Sequence, residues 1–149
     1  MGRIAVGVDG SEDSLRGLMW ALDEARLRAS SLQLIHVYPR LEHTYPLPDG
    51  VAVPDQGSLP TEQELQAAKE AILDAALEQV GGAGDLEVTY TVESGSPTEV
   101  LCTEARGAEL LVVGARGLGG FRGLLVGSVS HQVVAHSPCP VVVITPEKR

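Results

Sequence analysis

Residues 110–130 read LLVVGARGLGGFRGLLVGSVS, and this stretch decides the fold class. Its first four residues, Leu110 to Val113, are continuously apolar, as in a strand covered on both faces. Six glycines follow within the 14 residues from Gly114 to Gly127. A short helix is predicted from roughly Val129 to Ala135. A buried strand, a glycine-rich turn and a helix in this order are typical of an α/β domain with a parallel sheet.

The same alternation of strand and helix continues towards both ends of the chain. Leu15, Leu18, Met19 and Leu22 recur at helical spacing, which predicts a helix with one buried face that begins after Ser11. No repeat or linker divides the sequence, so residues 1–149 are interpreted as one domain with helices on both faces of an open parallel sheet. The remaining strands are predicted at Arg3 to Val8, Leu32 to Val37, Leu86 to Val92 and Val141 to Ile144.

Cap and breaker residues delimit the helices. Thr61 with Glu64 and Ser96 with Glu99 have the spacing of a capping box, in which each pair satisfies the first amides of a helix. The helix after Thr61 is predicted to run to about Val80, and the helix after Ser96 to end near Gly107. Five prolines between Tyr38 and Pro60 exclude regular structure there, which predicts a long loop inside the domain.

Composition excludes several classes of protein. The formal net charge of −9 and the two lysines argue against a nucleic-acid partner and an anionic membrane surface. No apolar run approaches the ~20 residues of a membrane helix, and the N-terminus lacks the apolar core of a signal peptide, so a cytoplasmic location is expected. Cys102 and Cys139 lack metal or redox spacing and are interpreted as packing residues.

The glycine-rich stretch has the chemistry of a phosphate cradle. Glycine lets backbone amides approach an anion closely, and a helix N-terminus adds unpaired N–H groups with a positive dipole end. Ser128 and Ser130 supply hydroxyls, and Arg116 supplies positive charge. Arg122 lies nearby as well and is interpreted as a solvated side chain, with a phosphate contact as the alternative. A lysine for a Walker A loop is missing, and Arg122 stands where a dinucleotide motif needs glycine.

The stretch matches the pattern G-x2-G-x9-G-[ST] at Gly114, Gly117, Gly127 and Ser128. In this it resembles the universal stress protein family, in the branch that binds ATP. The opening segment IAVGVDGS, residues 4–11, and the closing segment HQVVAHSPCPVVV, residues 131–143, are similar to the family's ends as well. The resemblance implies strand order 3-2-1-4-5, a homodimer and an ATP ligand with Mg²⁺.

The resemblance also implies roles for individual residues. Asp9 would contact the nucleoside, although capping the first turn is the alternative for this residue. Val37 would line the adenine pocket, although it could instead be ordinary core. Residues expected to hold backbone, ribose or phosphates are Gly7, Val8, Gly114, Gly117, Gly127, Ser128 and Val129. To these the residues themselves add Arg116 for its charge and Ser130 for its position. The hydroxyl of Ser128 or of Ser130 could reach a nucleotide-bound Mg²⁺.

Three functions remain open from the sequence. The first is a nucleotide-dependent binding module of the stress response, and the second is a slow Mg²⁺-dependent ATPase. The third is an interaction protein without nucleotide, against which the intact glycine motif argues. Asp9 and Glu93, at strand ends, are the only acidic candidates for a catalytic base, and the loop offers none. The apolar run Val141 to Ile144 is predicted to be a sheet edge through which the homodimer forms.

Overall fold

The computed structural model describes residues 2–38, 61–116 and 127–146, which form one α/β unit. Five parallel strands are hydrogen-bonded in the order β3-β2-β1-β4-β5, as the resemblance implies. The strands are β1 (Arg3–Gly7), β2 (Ser31–Tyr38), β3 (Val88–Ser94), β4 (Leu110–Gly114) and β5 (Val141–Ile144). The helices are α1 (Glu12–Arg28), α2 (Glu62–Gln79), α3 (Pro97–Glu104) and α4 (Ser128–His136).

Two apolar layers cover the sheet, one on each face. Ile4 and Val6 of β1 belong to the layer under α1 and α2, whereas Ala5 between them belongs to the layer under α3 and α4. All three are fully buried, as alternation along a central strand requires. Cys102 and Cys139 are partly buried against the second layer, which confirms that they are packing residues. No helix in the described ranges is long and apolar enough to cross a bilayer.

The strand order reverses between β1 and β4, which are neighbours in the sheet. From β1 the chain continues outward to β2 and β3 on one side, and from β4 it continues outward to β5 on the other. In open parallel sheets, ligands bind beyond the carboxyl ends of strands at such a point. The turn after β1 and the residues directly after β4, Ala115 and Arg116, therefore lie at the same edge of the sheet. Among the described strands β5 pairs with β4 alone, so the prediction that residues 141–144 form a sheet edge is confirmed.

Most helix starts agree with the sequence. Thr61 and Glu64 form the complete capping box of α2, and Ser11 caps α1 by accepting from the Ser14 amide at 3.2 Å. Ser96 forms only the forward half of its box, since it accepts from the Glu99 amide at 3.5 Å. The loop predicted from Tyr38 to Pro60 lies outside the described residues, apart from Tyr38 at the end of β2.

Two sequence predictions were wrong in detail. Met19 is 52% exposed, because the buried face of α1 follows Leu18 and Leu22 and excludes the next position, 100° further round the helix. The third strand begins at Val88 instead of Leu86, since the Leu86 amide donates to the Ala83 carbonyl in a turn. Leu86 still packs against the core, which is why its apolar character looked like the start of a strand.

Candidate functional site

The end of β1 is tied to its neighbours by its main chain. The Val8 amide donates to the Ile35 carbonyl at 2.8 Å, and Nδ1 of His36 lies 2.9 Å from the Val8 carbonyl oxygen. A Cβ on Gly7 would lie 3.2 Å from Leu101, so glycine lets α3 pack closely on β1. Gly7 and Val8 therefore already have structural roles, and any contact of theirs with a ligand remains a prediction.

Asp9 organises the turn into α1. Its Oδ1 accepts from the Ser11 amide at 2.9 Å, and its own amide donates to Oγ of Ser14 at 3.3 Å. Gly10 between them has φ of +86°, a conformation that side chains rarely adopt. The capping role that the sequence left open for Asp9 is thus observed, while its contact with a nucleoside remains a prediction.

Gly114 ends β4 where the first turn of α1 crosses it. A Cβ at this position would lie 2.7 Å from the carbonyl carbon and 2.9 Å from Cβ of Asp13. Both distances are shorter than real Cβ contacts allow, so only glycine fits without moving α1. The first glycine of the motif therefore has a packing reason that is independent of any ligand.

Asp13 holds Arg116, the third residue of the glycine-rich stretch. Its carboxylate is 5% exposed, and Oδ2 lies 3.1 Å from the Arg116 amide nitrogen and 3.5 Å from Nε of Arg116. Oδ1 pairs with the guanidinium of Arg16 on the next turn of α1. Arg116 thus lies at the predicted site but is engaged by a buried carboxylate, so its charge is shared.

The sequence interpretation missed Asp13 and Arg16. The helix dipole alone favours an acid in the first turn of a helix, so Asp13 gave no sign of a further role. Its spacing from Arg16 is the i,i+3 spacing of an ion pair on one helix face, and this was the available signal. The link to Arg116 spans 103 residues, for which no local pattern exists.

The glycine-rich stretch is closed at its base by one carbonyl. The Gly127 amide and the Ser130 hydroxyl both donate to the Ala115 carbonyl, the latter at 2.7 Å. Ser130 is only 3% exposed, and its oxygen also lies 3.3 Å from the Gly127 carbonyl. The hydroxyl proton of Ser130 is therefore used to join the two ends of the stretch, which is a positioning role.

The N-terminus of α4 faces the same edge of the sheet. Gly127 is the N-cap, and no side chain of the described residues caps the first amides of this helix. Ser128 is exposed and Val129 is 36% exposed. The first-turn amides, with the positive end of the helix dipole, are arranged to receive an anion.

Val37 lies near the end of β2, where it is half-buried and packs against the layer under α3 and α4. It pairs in register with Glu93 of β3, which is exposed. Val37 therefore lies at the carboxyl edge of the sheet, where the adenine pocket is predicted, and it also packs against the core. Its contact with adenine remains a prediction. Gly117 and Arg122 lie outside the described residues, as does the remainder of residues 117–126.

A cavity of about 500 Å³ lies elsewhere, between the end of β3 and α3. Three carboxylates line it, those of Glu93, Glu99 and Glu104, together with Ser96 and Thr103. None of the predicted phosphate-binding residues borders this cavity. Among the described residues, no group of three or more His, Cys, Asp or Glu side chains is placed to hold a metal ion.

Comparison with known proteins agrees with this architecture. A family model described as "Universal stress protein family" matches residues 1–145. Universal stress protein YxiE of Bacillus subtilis is 31% identical over 146 residues, which cover 95% of this chain and 97% of the relative. A universal stress protein of Mycolicibacterium smegmatis is 35% identical over 147 residues, 96% of this chain and 45% of the relative. The chain thus spans about half the length of several relatives that it matches.

Solved structures share the fold. A universal stress protein crystallised in complex with cAMP has a TM-score of 0.67 and 27% identity to this chain. The match covers 96% of this chain and 95% of that one.

Proposed function

The chain belongs to the universal stress protein family, and on this premise we propose that it binds an adenine nucleotide, ATP together with Mg²⁺. The nucleotide lies at the carboxyl ends of β1 and β4. Nucleotide binding regulates what the protein contacts in a stress response. The proposal is therefore a binding module and does not include rapid ATP hydrolysis.

The free first turn of α4 is the observation that carries this proposal. Of the four helices in the described ranges, α1, α2 and α3 are capped by the side chains of Ser11, Thr61 and Ser96, whereas α4 begins at Gly127 without a side-chain cap. A Cβ on Gly127 would lie 3.1 Å from the Ala115 carbonyl oxygen, so a larger residue would crowd the base of the stretch. Among the described residues no side chain accepts from the amides of this turn, and phosphate oxygens suit them.

The glycine motif extends the same donor set. Gly114 and Gly127 stand at the two ends of the stretch, and Gly117, which lies outside the described residues, completes the pattern. The length of this pattern favours a chain of phosphates over a single one. The related structure that contains cAMP supports an adenine nucleotide as the ligand class.

We assign the remaining roles by position. Asp9 and Val37 contact the nucleoside, with backbone from Gly7 and Val8. Ser128 and Val129 contact ribose or phosphate through their first-turn amides. Arg116 adds charge, and Ser130 positions the stretch. Mg²⁺ is held chiefly by the phosphates, and the Ser128 hydroxyl oxygen is the proposed protein ligand.

We further propose a homodimer through β5. This strand is an edge, its four residues are half-buried, and Val134 on the adjacent helix α4 is 56% exposed. An apolar edge with exposed valine beside it favours pairing with a second copy.

Mass spectrometry of gently purified protein, followed by calorimetry, tests the nucleotide proposal. ATP with Mg²⁺ is expected to bind more tightly than GTP and more tightly than cAMP. Gly117→Val is expected to abolish binding with an unchanged unfolding temperature, because a β-branched side chain blocks the approach of backbone to phosphate. Absence of binding by every nucleotide, or tight binding of ATP by the variant, would contradict the proposal.

A further inference from the structure

Arg16 is a cation beside the proposed phosphate site that the glycine motif does not include. It lies on the second turn of α1, where its guanidinium pairs with Oδ1 of Asp13. The other oxygen of Asp13 holds the amide and the guanidinium of Arg116. One buried carboxylate therefore lies between two guanidinium groups, and the three side chains carry one surplus positive charge.

That surplus matters because the surroundings are acidic. Asp9 and Glu12 lie on the turn and the helix start beside the cluster, and the whole chain has a formal net charge of −9. Without Arg16, the Asp13 carboxylate would neutralise Arg116, and the two side chains would offer an approaching phosphate no net positive charge. The second arginine restores attraction at the position where the glycine-rich stretch leaves β4.

Arg16 also has a buried hydrogen-bond donor, its Nε–H group. Within the part of the chain that the structure describes, its Nε is buried and has no hydrogen-bond partner. A buried donor without an acceptor costs free energy, and an anion or ordered water is the usual explanation for one. The Arg16 side chain as a whole is 32% exposed, so a ligand oxygen can approach it.

We propose that Arg16 is a specificity-determining cation of the nucleotide site: with Asp13 and Arg116 it selects ligands by the number of their phosphate charges. This inference rests on the proposed nucleotide binding. It predicts that the preference for ATP over AMP depends on the net charge of the three side chains, whereas the affinity for adenosine does not.

Three variants test the dependence on charge. Arg16→Gln removes one positive charge, and Asp13→Asn removes the negative charge while it keeps an oxygen to accept from Arg116. Arg26→Gln is the matched control, since Arg26 is an exposed, paired arginine at the other end of α1. It lies ten residues from Arg16, which is about 15 Å along a helix and nearly two Debye lengths at physiological salt.

Calorimetry with adenosine, AMP, ADP and ATP gives the readout. Arg16→Gln is expected to weaken ATP binding about five- to tenfold and AMP binding about twofold, and to leave adenosine binding unchanged. Asp13→Asn is expected to raise the ATP-to-AMP preference by a similar factor, a gain that loss of a purely structural residue would not produce. Arg26→Gln is expected to change neither.

The outcomes separate the two proposals. If the unaltered protein binds none of the four ligands, the proposed function fails. If it binds them but Arg16→Gln weakens all four equally, or no more than Arg26→Gln does, the role of Arg16 is overturned. Should Arg16→Gln fail to fold, Asp13→Asn decides alone, because an unchanged ATP-to-AMP preference in that folded variant also overturns the proposal.

Discussion

Gly114 lies so close to Asp13 that an added Cβ would be 2.7 Å from the Asp13 carbonyl carbon. Gly114→Ala is therefore expected to displace the start of α1 and to lower the free energy of unfolding by about 1–3 kcal/mol. Denaturant unfolding in the absence of nucleotide measures this. This loss of stability is expected without any ligand, since the contact is made within the protein itself.

Gly17→Ala is the matched control for this experiment. Gly17 packs against the same end of β4, but its added Cβ would lie 3.6 Å from Val112 Cγ1, an ordinary van der Waals distance. Because alanine is the better helix former by about 1 kcal/mol, this variant is expected to be as stable as the unaltered protein or more so. Equal stability of Gly114→Ala and Gly17→Ala would show that the contact at Gly114 is relieved without cost.

Contacts between residues close together in the sequence could be predicted, whereas contacts between distant residues could not. The caps at Ser11 and Thr61 were predictable, because a cap is a hydrogen bond between residues three apart. The edge position of β5 followed from an apolar run near the chain end. The pairing of Asp13 with Arg116 had no local signal, since a helix dipole already explained Asp13 and the partner lies 103 residues away.

The role of Ser130 illustrates the second limit. Its place in the first turn of α4 predicted a free hydroxyl for phosphate, because sequence spacing gives the helical face but not what packs on it. The Ala115 carbonyl meets that hydroxyl at 2.7 Å, a contact that depends on how the glycine-rich stretch folds back to β4. Met19 was misjudged for a related reason, since one step of 100° separates the buried face of α1 from its exposed flank.

Ser130 and Ser128 are expected to differ when each is replaced by alanine. Ser130→Ala removes a buried hydrogen bond to Ala115 and is expected to cost about 1 kcal/mol of stability. Ser128→Ala, at an exposed position, is expected to change stability by less than about 0.5 kcal/mol but to weaken Mg-ATP binding roughly tenfold. Paired unfolding and calorimetry experiments measure both. The reverse assignment of the two effects would make Ser130 the ligand.

The dimer proposal is tested on the free edge of β5. The Pro140 carbonyl accepts from the amide of Leu111 in β4 at 2.9 Å, and the Ile144 carbonyl accepts from the amide of Ala115, just after β4, at 2.8 Å. Alternation therefore turns the Val143 main chain away from β4. Val143→Pro removes the outward N–H while it leaves this ladder in place. Light scattering is expected to report a folded monomer.

A proline on the opposite edge of the sheet is the control. The Gly95 amide donates to the Tyr38 carbonyl at 2.9 Å, so the main chain of Ser94 faces away from β2. Ser94→Pro is expected to leave the oligomeric state unchanged. A dimer that persists in Val143→Pro would exclude main-chain pairing through β5 as the interface.

Tyr90 is expected to titrate late. Burial, and then its hydrogen bond of 2.6 Å to Asp74, raise the pKa of Tyr90 to about 12 from the ordinary 10.0. Because the folded pKa is raised, the stabilising contribution is complete below pH 10 and is lost as the pH rises towards 12. Ultraviolet absorbance of the folded protein is expected to show one delayed tyrosine, which Tyr90→Phe removes.

The negative charges of Asp74 and Glu70 also raise the pKa of Tyr90, after burial and the hydrogen bond. Asp74→Asn tests the contribution of the first of these charges. The variant keeps an oxygen that can accept from the Tyr90 hydroxyl but removes the negative charge. Since burial is the larger cause, the pKa of Tyr90 is expected to fall only part of the way towards 10.0. A complete return to the ordinary value would mean that the carboxylate, and not burial, sets the pKa.

ATP hydrolysis is expected to be far slower than the ~10 s⁻¹ typical of enzymes. The proposed site holds phosphates through amides and hydroxyls, and tight binding of the ground state does not by itself lower a barrier. Fast transfer needs positive charge directed at the moving phosphoryl group, and the Arg116 guanidinium lies 3.5 Å from the Asp13 carboxylate instead. Steady-state assays of the unaltered protein, Arg116→Ala, Asp9→Asn and Glu93→Gln measure the rate. Robust turnover that survives further purification and falls in Arg116→Ala, but not in Arg26→Ala, would make this protein an enzyme and overturn the binding-module proposal.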